Sequence, residues 1–143
     1  MNDSKEKMGI LVDSDIIIDV LTYREPFVND SRVVLQSCED GTQRGFITAL
    51  ILANTYYVLR KENSHIDVIK QLSKLIGFLD VINIDKAAII KSMNSDFADF
   101  EDALQNYAAE VSDKVDTIVT RNTKDYKHSS ISVMSPSEFA NSL

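Results

Sequence analysis

Acidic and amide side chains are concentrated at three separated points of the chain, each beside an apolar or amphipathic segment. In chain order they are Asp13, Asp15 and Asp19; Asp99 and Asp102; and Asn122 and Asp125. Carboxylates are the preferred ligands of hard cations such as Mg²⁺ and Mn²⁺, which polarise phosphoryl groups when bound. These residue types therefore predict a divalent-metal site acting on phosphate, provided that the fold brings the three points together.

Some of these acidic residues also have a simpler explanation, as helix caps. Asp13 ends the apolar run 10–12, and a carboxylate at the end of a buried strand favours a ligand. Asp15 is equally suited to cap the first helix, and Asp19, one helical turn later, is expected to support the site from behind. Asp99 and Asp102 have the spacing of a capping box, but the acid density around them exceeds what one cap requires.

Apolar segments that alternate with amphipathic ones predict strands alternating with helices. We expect strands at 10–12, 45–48, 79–84, 117–120 and 131–134. Helices are expected between them, with Pro26 in the first turn of the second helix and Gly41 at its end. Such alternation predicts a three-layer α/β/α sandwich around a mostly parallel five-stranded sheet. The carboxyl ends of parallel strands share one edge, so the acidic groups should converge there.

The bulk properties indicate a small globular protein. The chain has 143 residues, 44% of them hydrophobic, and a formal net charge of −7. We expect a mobile tail over 1–7 and one domain over 8–143. No apolar leader or spanning run is evident, which predicts a cytoplasmic protein that does not engage a membrane. The net charge opposes nonspecific nucleic-acid binding, although bound cations would reverse it locally. Cys38 is the only cysteine, and the histidine and cysteine spacing does not fit zinc.

Several segments resemble the PIN domain family. Residues 10–21, Ile-Leu-Val-Asp-Ser-Asp-Ile-Ile-Ile-Asp-Val-Leu, resemble its opening. Residues 99–105 and 118–126 resemble its later motifs, and 135–139 its usual ending. The resemblance covers nearly the whole chain. It implies a Rossmann-like PIN fold and a metal-dependent endoribonuclease, most often the toxin of a VapC-type toxin–antitoxin pair. The implied partners are an RNA substrate, an antitoxin protein and a second copy in a homodimer.

The resemblance also suggests roles for individual residues. By motif position, Asp13 matches the first family acid, Asp102 the third, and Asn122 the place of the fourth. The implied catalytic set is Asp13, Asp99, Asp102 and Asn122, with Asp13, Asp102 and Asp99 holding Mg²⁺ or Mn²⁺. The expected supporting or positioning residues are Asp15, Asp19, Asn54, Thr120 and Asp125. The expected RNA contacts are Arg24, Arg121, Lys124 and Lys127.

Two positions depart from the family pattern. Asn54 stands where the family usually has a glutamate, and Asn122 where an aspartate is frequent. Fewer charges predict weaker metal binding, or one metal rather than two, with Asp15 partly restoring the charge. The alternative hypothesis is a catalytically weakened PIN-like module that binds RNA or protein. A phosphoacceptor receiver domain fits poorly because strand five is followed by no lysine. A phosphatase-like hydrolase rests only on the Asp13-Ser14-Asp15 pattern.

Overall fold

The computed structural model describes residues 9–143, which form a five-stranded parallel sheet with helices around it. The strands are β1 (Gly9–Val12), β2 (Gly45–Ile47), β3 (Asp80–Val81), β4 (Val115–Val119) and β5 (Ser132–Met134), in the spatial order β3-β2-β1-β4-β5. Every paired strand is parallel to its neighbour. This confirms the predicted fold class. The predicted tail over 1–7 lies outside the described residues.

Seven helices connect and follow the strands in the described part of the chain. They are α1 (Ser14–Leu21), α2 (Val28–Glu39), α3 (Ala49–Leu59), α4 (His65–Ile76), α5 (Lys86–Met93), α6 (Phe100–Ser112) and α7 (Pro136–Ser142). A 3₁₀ turn spans Thr123–Tyr126. Helix α1 packs on α2 and α3, α2 on α7, and α5 on α6. None of the described helices is long and apolar enough to cross a membrane.

Strand β1 is the centre of both the sheet and the core. It pairs with β2 on one side and with β4 on the other, and all four of its residues are buried. Strands covered on both faces favour continuous apolar runs over alternation, which explains the sequence Ile10-Leu11-Val12. The chain builds β2 and β3 on one side of β1 and then crosses to build β4 and β5 on the other. The crevice at this reversal is where open parallel sheets bind ligands.

The helix ends follow simple capping chemistry. Ser64 caps α4 by accepting a hydrogen bond from the Asp67 amide (3.1 Å), and Asp85 caps α5 in the same way through Ala88 (2.9 Å). Gly41 follows α2 with a φ of +84°, a left-handed conformation that glycine adopts without a steric penalty. The predicted end of the second helix at Gly41 is confirmed.

Three details of the predicted fold were wrong. Strand β3 has two residues, rather than the six of 79–84, because it pairs only with the short strand β2. Pro26 lies before α2, which starts at Val28, so it is not in the first turn. The residue that caps α1 is Asp13, whose carboxylate accepts the Ser14 amide hydrogen. Asp15 is already inside the helix and bonds elsewhere.

Helix α4 buries less of its apolar stripe than its periodicity predicts. Val68 and Leu75 are buried, whereas Ile66, Ile69 and Ile76 are exposed. The helix is amphipathic, but its apolar arc is wider than the surface it covers. An apolar strip of α4 therefore faces outward.

Candidate active site

Asp13 lies at the carboxyl end of the central strand, where the sequence pattern placed it. Its Oδ1 accepts the Ser14 amide hydrogen at 2.7 Å, and its Oδ2 accepts the Thr120 hydroxyl hydrogen at 2.9 Å. Thr120 directly follows β4, so this bond joins the ends of two adjacent strands. Burial raises the pKa of Asp13, although the hydrogen bonds from Thr120, Ser14 and Tyr126 oppose that rise. The carboxylate is thus fixed in place, while its negative charge is poorly solvated.

Asp15 lies beside Asp13 and has one oxygen without a partner. Its Oδ2 accepts the Arg121 amide hydrogen at 3.1 Å and lies 3.4 Å from the Asn122 side-chain nitrogen. Its Oδ1 is buried and has no hydrogen-bond partner among the described residues. Burial, and then the charge of Asp13, raises the pKa of Asp15 to about 7. A buried carboxylate oxygen without a donor is costly, and a cation would offset that cost.

Asp102 approaches the same place from the start of α6. Asp99 caps this helix through the Asp102 amide (3.0 Å), as predicted, and is itself exposed. Burial, followed by the charges of Asp99, Asp13 and Asp125, raises the pKa of Asp102 to about 7. The electrostatic influence of Asp13 and Asp125 on Asp102 indicates that the three predicted acidic groups do converge.

Tyr126 is a member of the site that the sequence analysis missed. Its ring is 2% exposed and lies edge-on to Phe97, and its hydroxyl is 3.4 Å from Asp102 Oδ1. The same hydroxyl lies close enough to Asp13 to lower the pKa of that carboxyl. Burial and the carboxylates Asp13, Asp102 and Asp15 raise its pKa, so the phenol keeps its proton. A buried tyrosine needs a polar partner, and its position one residue after Asp125 was the signal available in the sequence.

Asn122 and Asp125 border the cluster at the 3₁₀ turn. The Asn122 backbone nitrogen donates to Thr120 Oγ1 at 3.1 Å, and the Asn122 side chain faces Asp15. Asp125 is exposed, but its charge raises the pKa of both Asp13 and Asp102. Both residues therefore lie at the predicted place.

Asp19 lies behind the cluster in a buried ion pair. It is 0% exposed and accepts two hydrogen bonds from Arg121, from Nε at 2.8 Å and from a terminal nitrogen at 3.1 Å. The Ser31 hydroxyl donates a third at 3.1 Å, and Arg24 lies 3.9 Å away. This pairing fixes Arg121, whose backbone in turn holds Asp15. Asp19 thus has the supporting geometry expected of it.

Asn54 is engaged by a different acid. Its side-chain nitrogen donates to Glu101 Oε1 at 3.0 Å, linking α3 to α6. The sequence analysis paired Asn54 with the metal site and left Glu101 out of that site. The structure puts a carboxylate from α6 beside the α3 position where the family usually has its own.

The predicted RNA-contact residues fall into two kinds. Lys124 and Lys127 are exposed on the 3₁₀ turn and just after it, beside the cluster. Arg24 is half-exposed and lies near Asp19. Arg121 is more occupied, because its guanidinium binds Asp19 and lies 3.9 Å from the centre of the Phe27 ring.

The donor chemistry of the cluster fits a hard divalent cation. Asp13, Asp15 and Asp102 provide only oxygen atoms, all three have raised pKa values, and one buried oxygen of Asp15 has no partner within residues 9–143. However, no three His, Cys, Asp or Glu side chains within residues 9–143 are already grouped to hold a metal ion. A cation bound here would therefore have to draw the carboxylates inward or complete its shell with water and phosphate.

The chain belongs to the PIN domain family, whose family model matches residues 9–124. The structural neighbours share the fold at low sequence identity. A toxin–antitoxin complex from Klebsiella pneumoniae has a TM-score of 0.67 and 19% identity, covering 90% of this chain and 98% of that chain. VapBC2 from Rickettsia felis, bound to a promoter DNA fragment, has a TM-score of 0.61 and 14% identity, covering 89% and 97%.

A third neighbour is VapC20 from Mycobacterium tuberculosis, described as a toxin that cleaves the sarcin–ricin loop. It has a TM-score of 0.60 and 12% identity, covering 77% of this chain and 87% of that one. No curated protein matches the chain by sequence. At these identities the neighbours establish the fold, and they agree with the family that the motifs indicated.

Proposed function

We propose that the protein is a metal-dependent endoribonuclease and the toxin of a toxin–antitoxin pair. The observation that carries the proposal is the convergence of Asp13, Asp15 and Asp102 at one edge of a PIN-domain sheet. Their charges are brought together with no cationic side chain directly bonded to them among the described residues. Clustered acids of this kind are unfavourable alone and favour a divalent cation, the usual companion of phosphodiester cleavage.

The residues of the site have different proposed roles, according to where they lie. Asp13, Asp15 and Asp102 would hold Mg²⁺ or Mn²⁺, with Asp99 beside them. Thr120 fixes Asp13 through its hydroxyl, and the Tyr126 hydroxyl lies 3.4 Å from Asp102 Oδ1. The exposed side chains beside the cluster are available to the RNA: Asn122 and Asp125 at the cleft, and Arg24, Lys124 and Lys127 at the rim.

A bound divalent cation would supply positive charge that polarises the scissile phosphate and offsets charge in the transition state. The protein contributes the geometry. The Asp13 carboxylate is held by two hydrogen bonds, so it reorients little when a ligand arrives. The Oδ1 of Asp15 is buried and lacks a hydrogen-bond partner within residues 9–143, so a cation would be its compensating neighbour.

The decisive experiment compares Asp13→Asn with the wild type in a Mn²⁺-dependent RNA cleavage assay. We expect cleavage to be abolished while the circular dichroism spectrum stays the same. Asp80→Asn is the matched control, because Asp80 is exposed on β3. Full activity in Asp13→Asn would refute the site assignment.

An antitoxin and a second copy of the chain are the proposed protein partners. A groove of about 350 Å³ between α1, α2 and α4 is lined by Val20, Leu21, Leu35, Leu75 and Phe78, with Arg32 and Lys74 beside them. An amphipathic helix of an antitoxin with acidic flanks would suit it. The exposed isoleucines of α4 are a candidate surface for further contact. Co-purification with the product of a neighbouring reading frame tests the antitoxin. Light scattering of the free protein tests the homodimer.

The second candidate function is a PIN-like module that binds RNA or protein without cutting. It is favoured by the amides at Asn54 and Asn122 and by the lack of a ready three-acid group within residues 9–143. A metal titration followed by an RNA cleavage assay discriminates the two functions. Binding without metal-dependent cleavage by the wild type would favour the module.

A further inference from the structure

Asn54 and Glu101 join two helices that border the carboxylate cluster. The Asn54 side-chain nitrogen, on α3, donates to Glu101 Oε1, in the first turn of α6, at 3.0 Å. The same helices meet at a buried contact, where the Thr48 hydroxyl donates to Gln105 Oε1 at 2.7 Å. Because α3 and α6 are held together at two points, the Glu101 carboxylate has a defined place between them.

Glu101 lies beside the cluster, on a different side from Asp102. It directly precedes Asp102, whose Oδ1 is 3.4 Å from the Tyr126 hydroxyl. Successive helical residues point about 100° apart, so Asp102 faces the 3₁₀ turn after β4 while Glu101 faces α3. Helix α3 packs on α1, whose first turn carries Asp15. The starts of α1 and α6 and the side of α3 therefore border one cleft, and Glu101 is its acid on the α3 side.

The contact with Asn54 orients Glu101 without giving it an opposite charge. The amide donor is neutral, and Glu101 makes no ion pair with a Lys or Arg among residues 9–143. Its second oxygen, Oε2, makes no hydrogen bond in the described part of the chain. A carboxylate with a free oxygen is the ligand type that Mg²⁺ and Mn²⁺ prefer. The side chain is exposed, so it can turn toward a cation without breaking a buried contact.

The pair also accounts for the amide at position 54. Asn54 stands where the family usually has a glutamate, and the Glu101 carboxylate accepts a hydrogen bond from its side chain. A lysine or arginine there would neutralise Glu101, and an alanine would leave it unoriented. An amide does neither, so α3 supplies the donor and α6 supplies the carboxylate.

We propose that Glu101 is a further metal-binding residue of the active site, joining Asp13, Asp15 and Asp102, and that Asn54 is its positioning residue. The proposal rests on the proposed function, because its cation is the one proposed to act on RNA. It gives a role to an acid that the sequence analysis had left outside the site, and it restores the charge that the amide at position 54 removes.

The first test measures Mn²⁺ binding to the metal-free, full-length protein by calorimetry. Glu101→Gln keeps an oxygen that accepts the Asn54 hydrogen bond but removes the charge, so the helices stay joined. We expect the Mn²⁺ affinity to fall roughly ten-fold. Glu39→Gln is the matched control, because Glu39 is exposed at the end of α2, and it should bind Mn²⁺ like the wild type. Wild-type affinity in Glu101→Gln would overturn the proposal, as would a wild type that binds no Mn²⁺.

The second test reverses the pair. The double variant Asn54→Glu/Glu101→Gln puts the carboxylate on α3 and the amide on α6, with the same net charge as the wild type. It should recover most of the Mn²⁺ affinity lost in Glu101→Gln. Asn54→Ala, which leaves Glu101 charged but unoriented, should lose less affinity than Glu101→Gln. A double variant that binds Mn²⁺ no better than Glu101→Gln would refute a metal-binding carboxylate at this pair.

Urea denaturation and RNA cleavage separate this proposal from its alternatives. If the pair only joins α3 to α6, Asn54→Ala should lower the free energy of unfolding and leave the Mn²⁺ affinity unchanged, and that result would overturn the proposal. A wild type that binds Mn²⁺ but cuts no RNA would refute the ribonuclease function, while the calorimetry would still decide the role of Glu101.

Discussion

Asp15 and Asp19 lie one turn apart on the same helix, and their surroundings are opposite. Asp19 is entirely buried and accepts three hydrogen bonds, two of them from the guanidinium of Arg121. Asp15 has Asp13 as its neighbour and one oxygen that finds no partner in the described part of the chain. Arg121 contributes its side chain to Asp19 but only a backbone amide to Asp15. Burial alone therefore does not mark a functional acid. What separates the two acids is a direct ion pair, which Asp19 makes with Arg121 and Asp15 lacks among the described residues.

Removing Asp19, whose charge is paired with Arg121, should have the largest effect on the free energy of unfolding. Asp19→Ala leaves the partly buried Arg121 unpaired, and we expect it to lower the free energy of unfolding by about 3–5 kcal/mol. Urea denaturation checks this value. Asp80→Ala, at an exposed site, should change stability little. A loss below about 1 kcal/mol in Asp19→Ala would mean that Arg121 finds another partner, and the contrast with Asp15 would weaken.

Asp15 and Asp102 should make the free energy of unfolding of the metal-free protein depend on pH. Asp15 and Asp102 have pKa values of about 7 in the folded protein, against about 3.9 for an unfolded aspartate. Between these values the folded state binds more protons, so the free energy of unfolding should fall as pH rises from about 4 to 7. Urea titrations at pH 5.5 and 8 in the presence of a chelator measure the difference.

Two comparisons isolate the source of that pH dependence. Asp15→Asn should make the decline with pH shallower, because one of the carboxyls with a raised pKa is gone. Mn²⁺ should raise the thermal midpoint more at pH 8 than at pH 5.5, because protonated carboxyls bind cations poorly. An unchanged slope in Asp15→Asn would show that other groups dominate.

Thr120→Val tests how firmly Asp13 is held. The substitution keeps the shape but removes the hydroxyl that donates to Asp13 and accepts from the Asn122 amide. We expect a loss of about 1–2 kcal/mol, because both partners lose a bond in a buried setting. Chemical denaturation gives the value. A Thr120→Ser variant retains the hydroxyl and should recover part of the loss.

Asn54→Glu should have the smallest effect on stability. It tests whether an added carboxylate at position 54 strengthens metal binding. The new carboxylate would face Glu101, the present partner of Asn54, and repel it at an exposed site, at a cost of about 0.5 kcal/mol. With a cation present the same acid should tighten Mn²⁺ binding, measured by calorimetry. Asn54→Gln is the control of equal size without charge. Equal Mn²⁺ affinity in both variants would mean that position 54 lies outside the metal site.

The fold and the main acids could be predicted from the sequence because they depend on local patterns. Asp13 follows a buried apolar run and Asp99 precedes an amphipathic one, so both positions follow from strand and helix periodicity. The parallel sheet needed only the alternation of strands and helices, whereas the strand order β3-β2-β1-β4-β5 came from the structure. The family motifs added the ribonuclease hypothesis, which the sheet geometry alone does not contain.

The remaining features depend on contacts between distant residues. Nothing local distinguishes Asp19 from Asp15, because the difference lies in Arg121, more than a hundred positions later. The short β3 follows from the length of its neighbour β2, and the cap of α1 at Asp13 lies two residues earlier than the expected Asp15. Tyr126 and the Asn54–Glu101 pair became visible only when α6 was placed against the sheet.

The central position of β1 has a consequence for motion at the site. Its backbone is bonded on both sides and its residues are buried, so its amides should exchange with solvent only on global unfolding. Asp13 is attached directly to this most protected segment, whereas Asn122 and Asp125 belong to a 3₁₀ turn at the surface. One side of the cleft is therefore anchored in the most protected strand, and we expect the exposed amides of the 3₁₀ turn to exchange faster, which hydrogen exchange would measure.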